Sequence, residues 1–165
     1  MKKTNAQRLL DARQIPYESQ VYDEAGAFHS AEQAAQLLDA PVESVYKTLV
    51  VLRETPHAKP LLVMIAANRE VDLRQLARAV GDKKLRMATQ REAEQLTGLQ
   101  VGGISALALL NRGLEICIDR PALALEHIHV SSGVRGLDIK LRAADLIQLT
   151  NARVVDATTA PIPPV

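Results

Sequence analysis

A lysine lies within a run of residues that otherwise has the composition of a buried strand. Lys47 is flanked by β-branched and apolar side chains from Val45 to Leu52, which is the pattern of a strand packed on one or both faces. Burial disfavours an ammonium group, and a lysine kept in such a place can polarise a carbonyl or bind a phosphate. The alternative is a solvent-facing lysine that protects an edge strand from pairing. The strand alone favours this second interpretation.

Two glycine-containing segments elsewhere in the chain have the composition of ligand-binding loops. The paired glycines of Gly102-Gly103-Ile104-Ser105 would let backbone N–H groups approach a ligand and point together at an anion or a polarised oxygen. The segment from Ser131 to Asp138 also contains two glycines. Taken singly, such segments more often form ordinary turns. Only their combination with Lys47 and Thr48 is specific.

Three motifs at matching spacing carry a family resemblance: Val45-Tyr46-Lys47-Thr48-Leu49, Thr97-Gly98 followed by Val101-Gly102-Gly103-Ile104-Ser105, and Val130-Ser131 followed by Arg135-Gly136-Leu137-Asp138-Ile139. With these motifs the chain resembles the YbaK/EbsC family of aminoacyl-tRNA deacylases, which also supplies the editing domain of many bacterial prolyl-tRNA synthetases. The resemblance runs from Thr4 to about Asp156, and the free-standing Cys-tRNA(Pro) deacylases are the most similar branch. The chain departs from the family at Ala106, where proline usually follows Gly-Ile-Ser, and this change loosens the loop.

The resemblance implies that the protein hydrolyses the ester bond of a mischarged tRNA. Lys47 would hold the aminoacyl ester and the terminal adenosine and polarise the developing oxyanion. The backbone amides of Gly102 and Gly103 would donate to the same oxygen. The sequence has no recognisable Ser-His-Asp set or metal-ligand cluster, and no cofactor is expected. The resemblance therefore suggests a nucleophile from the substrate, either a cysteine thiol or a ribose hydroxyl that guides water.

Four further residues are expected, from the same resemblance, to bind the substrate. Ser131 and Asp138 would orient the terminal ribose and the α-amino group, and Asp138 matches the latter in charge. Tyr22 and Thr48 would line the pocket. A synthetase site shaped for proline rejects similarly small amino acids only weakly, so a second site acting in trans would remove them. The expected substrate is Cys-tRNA(Pro), with Ala-tRNA(Pro) or the ester of another small amino acid as the alternative.

A competing interpretation is a non-catalytic module with the same fold, which captures tRNA ends or docks onto a synthetase. Retention of Lys47 and Gly102-Gly103 argues against this module, whereas Ala106 argues weakly for it. The expected partners are the acceptor end of an aminoacyl-tRNA and prolyl-tRNA synthetase. Neither DNA nor a membrane is expected as a partner.

Other candidate groups have simpler interpretations. His127 and His129 lie on one face of a predicted strand, but no third ligand at recognisable spacing accompanies them, which favours cross-strand or surface histidines over a metal site. His29 is the histidine expected at the rim of the site. Cys117 lies in an apolar strand pattern and is expected to be a small buried hydrophobe rather than a nucleophile.

Charge and composition limit the contacts with nucleic acid. The 20 basic and 19 acidic residues give a net charge of +1, so no overall field attracts a polyanion. An aromatic content of 2% argues against a base-stacking sheet. The basic run Lys83, Lys84 and Arg86 is usually a solvated face, but here it is a candidate contact for tRNA phosphates.

The pattern of elements predicts an α/β protein of the α+β type. Capping boxes begin helices at Thr4 and Ser30, and apolar runs on both sides of the turn at 54–60 predict a hairpin. Strand runs outnumber βαβ units, which favours a mixed, mostly antiparallel sheet or partial barrel flanked by short helices. The further predicted strands are 17–22, 114–118, 127–131, 136–141 and 154–155.

The length and the chain start bound the domain organisation. A chain of 165 residues, 47% of them hydrophobic, suits one domain with a real core. We predict a single YbaK-like domain over residues 1–156, followed by a disordered tail over 157–165 that contains three prolines. The sequence shows neither a signal peptide nor an apolar run of membrane-spanning length, so we predict a soluble, cytoplasmic protein.

Overall fold

The structure is a computed structural model that describes residues 2–160, in which two β-sheets are flanked by short helices. The helices are α1 (Asn5–Ala12), α2 (Ala31–Leu38), α3 (Leu73–Val80), α4 (Gln90–Thr97) and α5 (Ala143–Thr150). The strands are β1 (Tyr17–Val21), β2 (Tyr46–Arg53), β3 (Leu61–Ala66), β4 (Leu85–Met87), β5 (Glu115–Asp119), β6 (His127–Ser131), β7 (Leu137–Arg142) and β8 (Arg153–Val155). Three short 3-10 helices cover Val42–Ser44, Leu107–Arg112 and Arg120–Ala124.

The helices begin and end where their capping residues predict. The hydroxyls of Thr4, Ser30 and Thr89 each accept a hydrogen bond from the backbone N–H three residues later. The Gln or Glu side chain at that later position accepts a hydrogen bond from the backbone N–H of the cap residue. Helices α3 and α4 end at Gly81 and Gly98, both in the left-handed conformation that glycine adopts at low cost. These boundaries are set by local chemistry.

The larger sheet has the strand order β4-β2-β3-β5-β8 and contains the predicted hairpin. Strands β2 and β3 pair antiparallel, whereas β3–β5 and β5–β8 pair in parallel. Every residue of β3 is buried because both faces of this central strand are covered. One hydrophobic core lies on each face, and α3 closes the core that contains Val51, Val63 and Cys117.

The smaller sheet is antiparallel, with the order β1-β7-β6. Its edge strand β6 meets the start of β2 at a single parallel bridge between Val45 and His129. The two sheets join at this bridge and form a partial barrel that does not close over the described residues. The predicted fold class and single-domain architecture are confirmed.

The basic run after α3 has a structural role that its composition did not indicate. Leu85 is buried and begins β4, which pairs with Leu52 and its neighbours at the end of β2. Arg86 makes two hydrogen bonds, of 2.9 and 2.8 Å, to the Glu92 carboxylate at the start of α4. The run is therefore an edge strand fixed by an ion pair, and the side chains of Lys83 and Lys84 are exposed beside it.

The disordered tail was predicted to begin at residue 157, and the structure moves that boundary. Ala157 and Thr158 are buried, and both donate hydrogen bonds to the buried carboxylate of Asp119. The carbonyl of Ala157 also accepts the amide of Asp72 at 2.7 Å. Apolar burial and three hydrogen bonds hold this segment in the fold. Residues 161–165 of the predicted tail lie outside the described residues.

None of the helices within residues 2–160 has the length and hydropathy that crossing a membrane requires.

Candidate active site

A cavity of about 280 Å³ lies where the two sheets diverge from the Val45–His129 bridge. Strand β2 supplies one wall, strands β6 and β7 supply the opposite wall, and helix α2 and the glycine loop at 101–104 cover the remaining sides. Small apolar side chains, such as Ala34 of α2 and Val45 just before β2, leave room for a ligand. Six of the seven residues predicted to act on substrate line this cavity: Tyr22, Lys47, Thr48, Gly102, Ser131 and Asp138.

Lys47 presents a partly desolvated ammonium to the cavity. Its Nζ donates to the carbonyl of Ala67 at 3.3 Å, and no carboxylate of the described residues lies within 4 Å of it. Burial lowers the pKa of Lys47, and the carboxylates of Glu32 and Glu70 oppose that shift. An ammonium has three donors, so at least two remain for a ligand. Lys47 is therefore half-buried and lines the cavity, unlike the solvent-facing lysine of the edge-guard interpretation, and its role toward substrate stays a prediction.

The short length of β4 explains why Lys47 and Thr48 both line the cavity. Successive strand residues point to opposite faces, and Lys47 shares its face with Val51 while Thr48 shares its face with Val50. Strand β4 pairs only with the end of β2, from Val51 onward. The first half of β2 is therefore an open edge toward the cavity, where neighbouring side chains on both faces can contact one ligand.

The two glycines of the loop have different roles, and one predicted role is wrong. Gly103 donates its amide to the carbonyl of Gln100 at 2.8 Å, so this N–H does not point to an oxyanion in the cavity. A side chain at Gly103 would also place its Cβ 3.0 Å from the backbone of Val134 and Arg135. Gly103 therefore allows two loops to pack closely. The sequence alone does not show which of the two adjacent glycine amides forms the hydrogen bond that closes the turn.

Gly102 is the residue of this pair that faces the ligand space. It lines the cavity with a φ of +94°, a conformation that glycine adopts without the strain of other residues. Its amide makes no hydrogen bond to the described residues. Gly102 is thus the remaining candidate donor for the oxyanion.

The replacement of the family proline by Ala106 leaves the local geometry close to that of proline. Ala106 has φ −61° and is buried at the start of the 3-10 helix Leu107–Arg112. Proline fixes φ near about −65°, so alanine adopts the same backbone conformation here. The hydroxyl of Ser105, just before this helix, accepts a hydrogen bond of 3.2 Å from the amide of Ala108 in its first turn. These contacts replace part of the restraint that the proline ring would supply.

Ser131 and Asp138 face each other across β6 and β7. They are directly paired in the antiparallel register, and cross-strand partners share one face of a sheet. Asp138 is only 4% exposed, and burial raises the pKa of its carboxyl. A hydrogen bond of 2.7 Å from His129 Nδ1 opposes this rise. The sequence named Asp138 but missed its buried partner, because the pairing depends on strand register.

The rim of the cavity carries three aromatic rings. Tyr22 and His29 make an edge-to-face contact with ring centroids 6.1 Å apart, and His29 Nε2 lies 2.8 Å from the Asp23 carboxylate. The predicted rim position of His29 is confirmed. Phe28 is 55% exposed, and the Arg135 guanidinium lies 5.4 Å from its ring centroid. The sequence assigned no role to Phe28 or Arg135, although Arg135 lies within one of the three family motifs.

The basic run does not lie beside the cavity. Arg86 pairs with Leu52 in the register of β2, and Lys84 lies 3.9 Å from Glu54 beyond the end of that strand. Six residues separate Lys47 from Arg53, which corresponds to roughly 20 Å along a strand. A contact of Lys83, Lys84 and Arg86 with tRNA phosphates stays a prediction, and it would have to involve tRNA outside the acceptor end.

Cys117, His127 and His129 do not line the cavity. Cys117 is fully buried, and burial raises the pKa of its thiol to about 11. His127 is exposed, whereas His129 points to Asp138. Among the described residues, no group of three His, Cys, Asp or Glu side chains could hold a metal ion. The interpretation of Cys117 as a core residue is confirmed.

Replacement of Cys117 by alanine should leave the deacylation rate unchanged. The thiol packs in the core beneath α3 and does not line the cavity. The free energy of unfolding should fall by about 1 kcal/mol, as for the loss of a small buried group. Urea unfolding and initial deacylation rates on the same preparation would measure both effects. A folded but inactive C117A protein would restore the nucleophile interpretation.

Comparison with known proteins decides the family. Residues 25–149 match the aminoacyl-tRNA editing domain family, which is well over half of the chain. The chain belongs to the aminoacyl-tRNA editing family. The editing chemistry of this family is hydrolysis of the aminoacyl ester, so the prediction of an aminoacyl-tRNA deacylase is confirmed at this level.

The chain is similar in sequence to two named relatives. It is 31% identical over 157 residues to an Enterococcus faecalis protein named "Putative Cys-tRNA(Pro)/Cys-tRNA(Cys) deacylase EbsC", and the match covers 95% of this chain and 94% of the relative. It is also 28% identical over 81 residues to the proline–tRNA ligase of Aquifex aeolicus. That second match covers 49% of this chain and 14% of the ligase.

Solved structures share the fold of the editing domain. Hypothetical protein APE2540 superposes with a TM-score of 0.84 at 22% identity, covering 94% of this chain and 99% of that one. A structure described as a "putative trans-editing enzyme for prolyl tRNA synthetase" gives a TM-score of 0.78 at 24% identity, covering 97% and 100%. These likenesses establish the architecture.

Proposed function

We propose that this protein is a trans-editing hydrolase that removes cysteine from Cys-tRNA(Pro). The observation that carries the proposal is the Lys47 ammonium, which pairs with no carboxylate of residues 2–160 and faces a cavity lined by Gly102, Ser131 and Asp138. The name of the Enterococcus relative supports cysteine as the amino acid, and its match spans nearly the whole of both chains. The protein would act on tRNA that a synthetase has already released.

The arrangement of charges suits the transition state of ester hydrolysis. As the carbonyl carbon is attacked, negative charge develops on its oxygen. Lys47 supplies a cation and Gly102 a neutral N–H to that oxygen, and such preorganised donors are the largest contribution to catalysis in many hydrolases. Asp138 would hold the α-ammonium group, and Ser131 would hold the ribose. With its α-ammonium group and its ribose both held, the substrate would keep its scissile carbonyl beside Lys47.

The nucleophile that fits this site comes from the substrate. A cysteinyl thiolate would attack its own ester carbonyl, forming a C–S bond while the C–O bond to the ribose breaks and the ribose oxygen takes a proton. Water would then hydrolyse the cyclic thioester. Cys117 cannot serve because it is buried away from the cavity. A thiol is partly ionised near neutral pH and is a far better nucleophile than a hydroxyl.

The esters of cysteine, serine and alanine on one tRNA body should separate the possible mechanisms. Cys-tRNA(Pro) should be hydrolysed much faster than Ser-tRNA(Pro) or Ala-tRNA(Pro), beyond the roughly 10- to 200-fold that small differences in side-chain size produce in a pocket. The fast reaction should also rise with pH toward the pKa of the substrate thiol. Single-turnover deacylation of the three substrates between neutral and alkaline pH measures both effects.

The outcomes of this panel differ for each alternative. Equal rates for the three esters would retain deacylation but remove the substrate thiol from the mechanism. Preferred hydrolysis of the alanyl ester would change the assigned amino acid. Binding of an uncleavable aminoacyl-adenosine without hydrolysis of any ester would favour the non-catalytic module.

Prolyl-tRNA synthetase is the proposed protein partner, because it is the source of the mischarged tRNA.

A further inference from the structure

A buried histidine stands behind the carboxylate that faces the cavity. His129 Nδ1 lies 2.7 Å from Asp138 Oδ2, and the two residues are only 8% and 4% exposed. Asp138 lines the cavity, whereas His129 does not. Burying two polar side chains together is unfavourable unless each satisfies the other. The burial of these two side chains is therefore explained by the hydrogen bond between them and not by hydrophobic packing.

Strand register explains how the pair forms. Ser131 is opposite Asp138 and His129 is opposite Lys140, so all four side chains lie on one face of the small sheet. His129 and Asp138 are diagonal neighbours on that face. The backbone of His129 also forms the bridge to Val45 that joins the two sheets. The imidazole is thus fixed on its own strand, and the carboxylate that it contacts is held in one orientation.

The charge of the pair depends on the imidazole. A carboxylate only accepts hydrogen bonds, so Nδ1 of His129 carries the proton that it donates. With a neutral imidazole the pair has a charge of −1, and with a protonated imidazole it has no net charge. A positively charged ligand group beside Asp138 therefore favours the neutral imidazole.

Few other charged groups face this pair. On the same sheet face, Lys140 lies opposite His129, and Glu18 of β1 lies opposite Lys140. Tyr22 is close enough to Asp138 for the carboxylate to affect its phenol, and Lys47 lies on the far wall of the same cavity. Histidine is the only side-chain type among these whose unperturbed pKa lies between pH 5 and 8.

We propose that His129 is a positioning residue for substrate: it orients the Asp138 carboxylate toward the α-ammonium group of the aminoacyl ester, and its protonation competes with binding of that group. The inference rests on the proposed function, because it takes an aminoacyl ester as the ligand. It also gives the editing site a dependence on pH that is separate from the ionisation of the substrate thiol.

Two probes isolate the ammonium group from the chemistry of hydrolysis. The first is a cysteinyl-adenosine analogue with an amide in place of the ester, and the second is the same compound without its α-amino group. Wild-type protein should bind the first probe more weakly as the pH falls from about 7 to about 5, the range in which histidine is protonated. The second probe should bind weakly at every pH. Isothermal titration calorimetry would give both dissociation constants.

Variants of His129 separate orientation from protonation. In His129→Asn the amide nitrogen replaces Nδ1 as a donor but cannot be protonated, so binding near pH 7 should be retained and the loss at low pH should disappear. In His129→Leu the donor is lost, and binding should weaken roughly 10- to 100-fold at all pH values, as for a lost hydrogen bond to a charged group. His127→Asn is the matched control on the same strand face, because His127 is exposed and should leave the pH dependence unchanged.

The outcomes distinguish this inference from the proposed function. The same pH dependence of binding in His129→Asn and wild type would overturn the inference, and so would equal affinity for the two probes. If Cys-tRNA(Pro) were still hydrolysed in either case, the proposed function would stand. Failure to bind either probe together with failure to hydrolyse any ester would overturn both. If His129→Leu does not fold, the asparagine variant alone decides the inference.

Discussion

Replacement of Lys47 by methionine should abolish deacylation and leave the fold intact. The side chain contributes the only cation on the β2 wall of the described cavity, and a methionine of similar length preserves the packing of its stem. Loss of such a transition-state interaction costs ~3–4 kcal/mol, which is on the order of a 100- to 1000-fold reduction in rate. Single-turnover deacylation of Cys-tRNA(Pro) would measure the change.

The stability of the K47M protein should not fall, and this separates catalysis from folding. Burial places the pKa of Lys47 below its unfolded value of 10.5, so the protonated side chain opposes folding at neutral pH. This opposition is lost as the pH rises through the lowered pKa toward 10.5. Removing the charge should therefore leave the midpoint of thermal unfolding unchanged or slightly higher.

Lys59 provides the matched control for this substitution. It is an exposed lysine at the far end of the β2–β3 hairpin, where its Nζ donates to the carbonyl of Arg112 at 3.2 Å. Lys59→Met should keep the wild-type rate. Near wild-type hydrolysis by a well-folded Lys47→Met protein would remove Lys47 from the mechanism.

Replacement of Gly136 by alanine should destabilise the protein strongly. Gly136 has φ +84°, and an added Cβ would lie 2.1 Å from the carbonyl oxygen of Asp23. The left-handed conformation costs roughly 1–2 kcal/mol for a residue with a Cβ, and forced overpacking adds about 1–3 kcal/mol. Activity should also fall, because the carbonyl of Gly136 accepts the amide of Tyr22 at 2.8 Å and so positions a residue of the cavity.

Gly81 allows the steric part of this effect to be measured separately. It has a similar φ of +80°, but an added Cβ would meet no atom within 4 Å. Gly81→Ala should therefore cost only the conformational part, about 1 kcal/mol, without loss of activity. Urea unfolding of both variants gives the difference. Equal destabilisation of the two proteins would show that the contact with Asp23 relaxes freely.

Local signals in the sequence were sufficient for the helices and for the hairpin. The cap at Ser30 and the stop at Gly98 depend on bonds within a few residues, which the sequence displays directly. Most residues that line the candidate site were also predictable, because a family resemblance identifies residues directly and does not require the distances between them. The resemblance assigned roles to Lys47 and Asp138 in this way, and both line the cavity.

Features that depend on register or on contacts between distant segments could not be predicted. The role of Gly103 required knowledge of the loop that packs against it, and the burial of Leu85 required the end of β2 as its pairing partner. The His129–Asp138 pair depends on a diagonal relation between two strands, and a slip of one residue would place them on opposite faces. Such relations arise from long-range packing.

The anchoring of residues 157–158 has a consequence for synthesis on the ribosome. The Asp119 carboxylate leaves the ribosome well before the Ala157 amide and the Thr158 hydroxyl that donate to it, since translation proceeds toward the carboxyl end. The hydroxyl of Thr158 also accepts a hydrogen bond of 3.0 Å from Arg69, two residues after the carbonyl that receives Lys47. A nascent chain therefore completes the surroundings of Asp119 and Arg69 only once residues 157 and 158 have been translated.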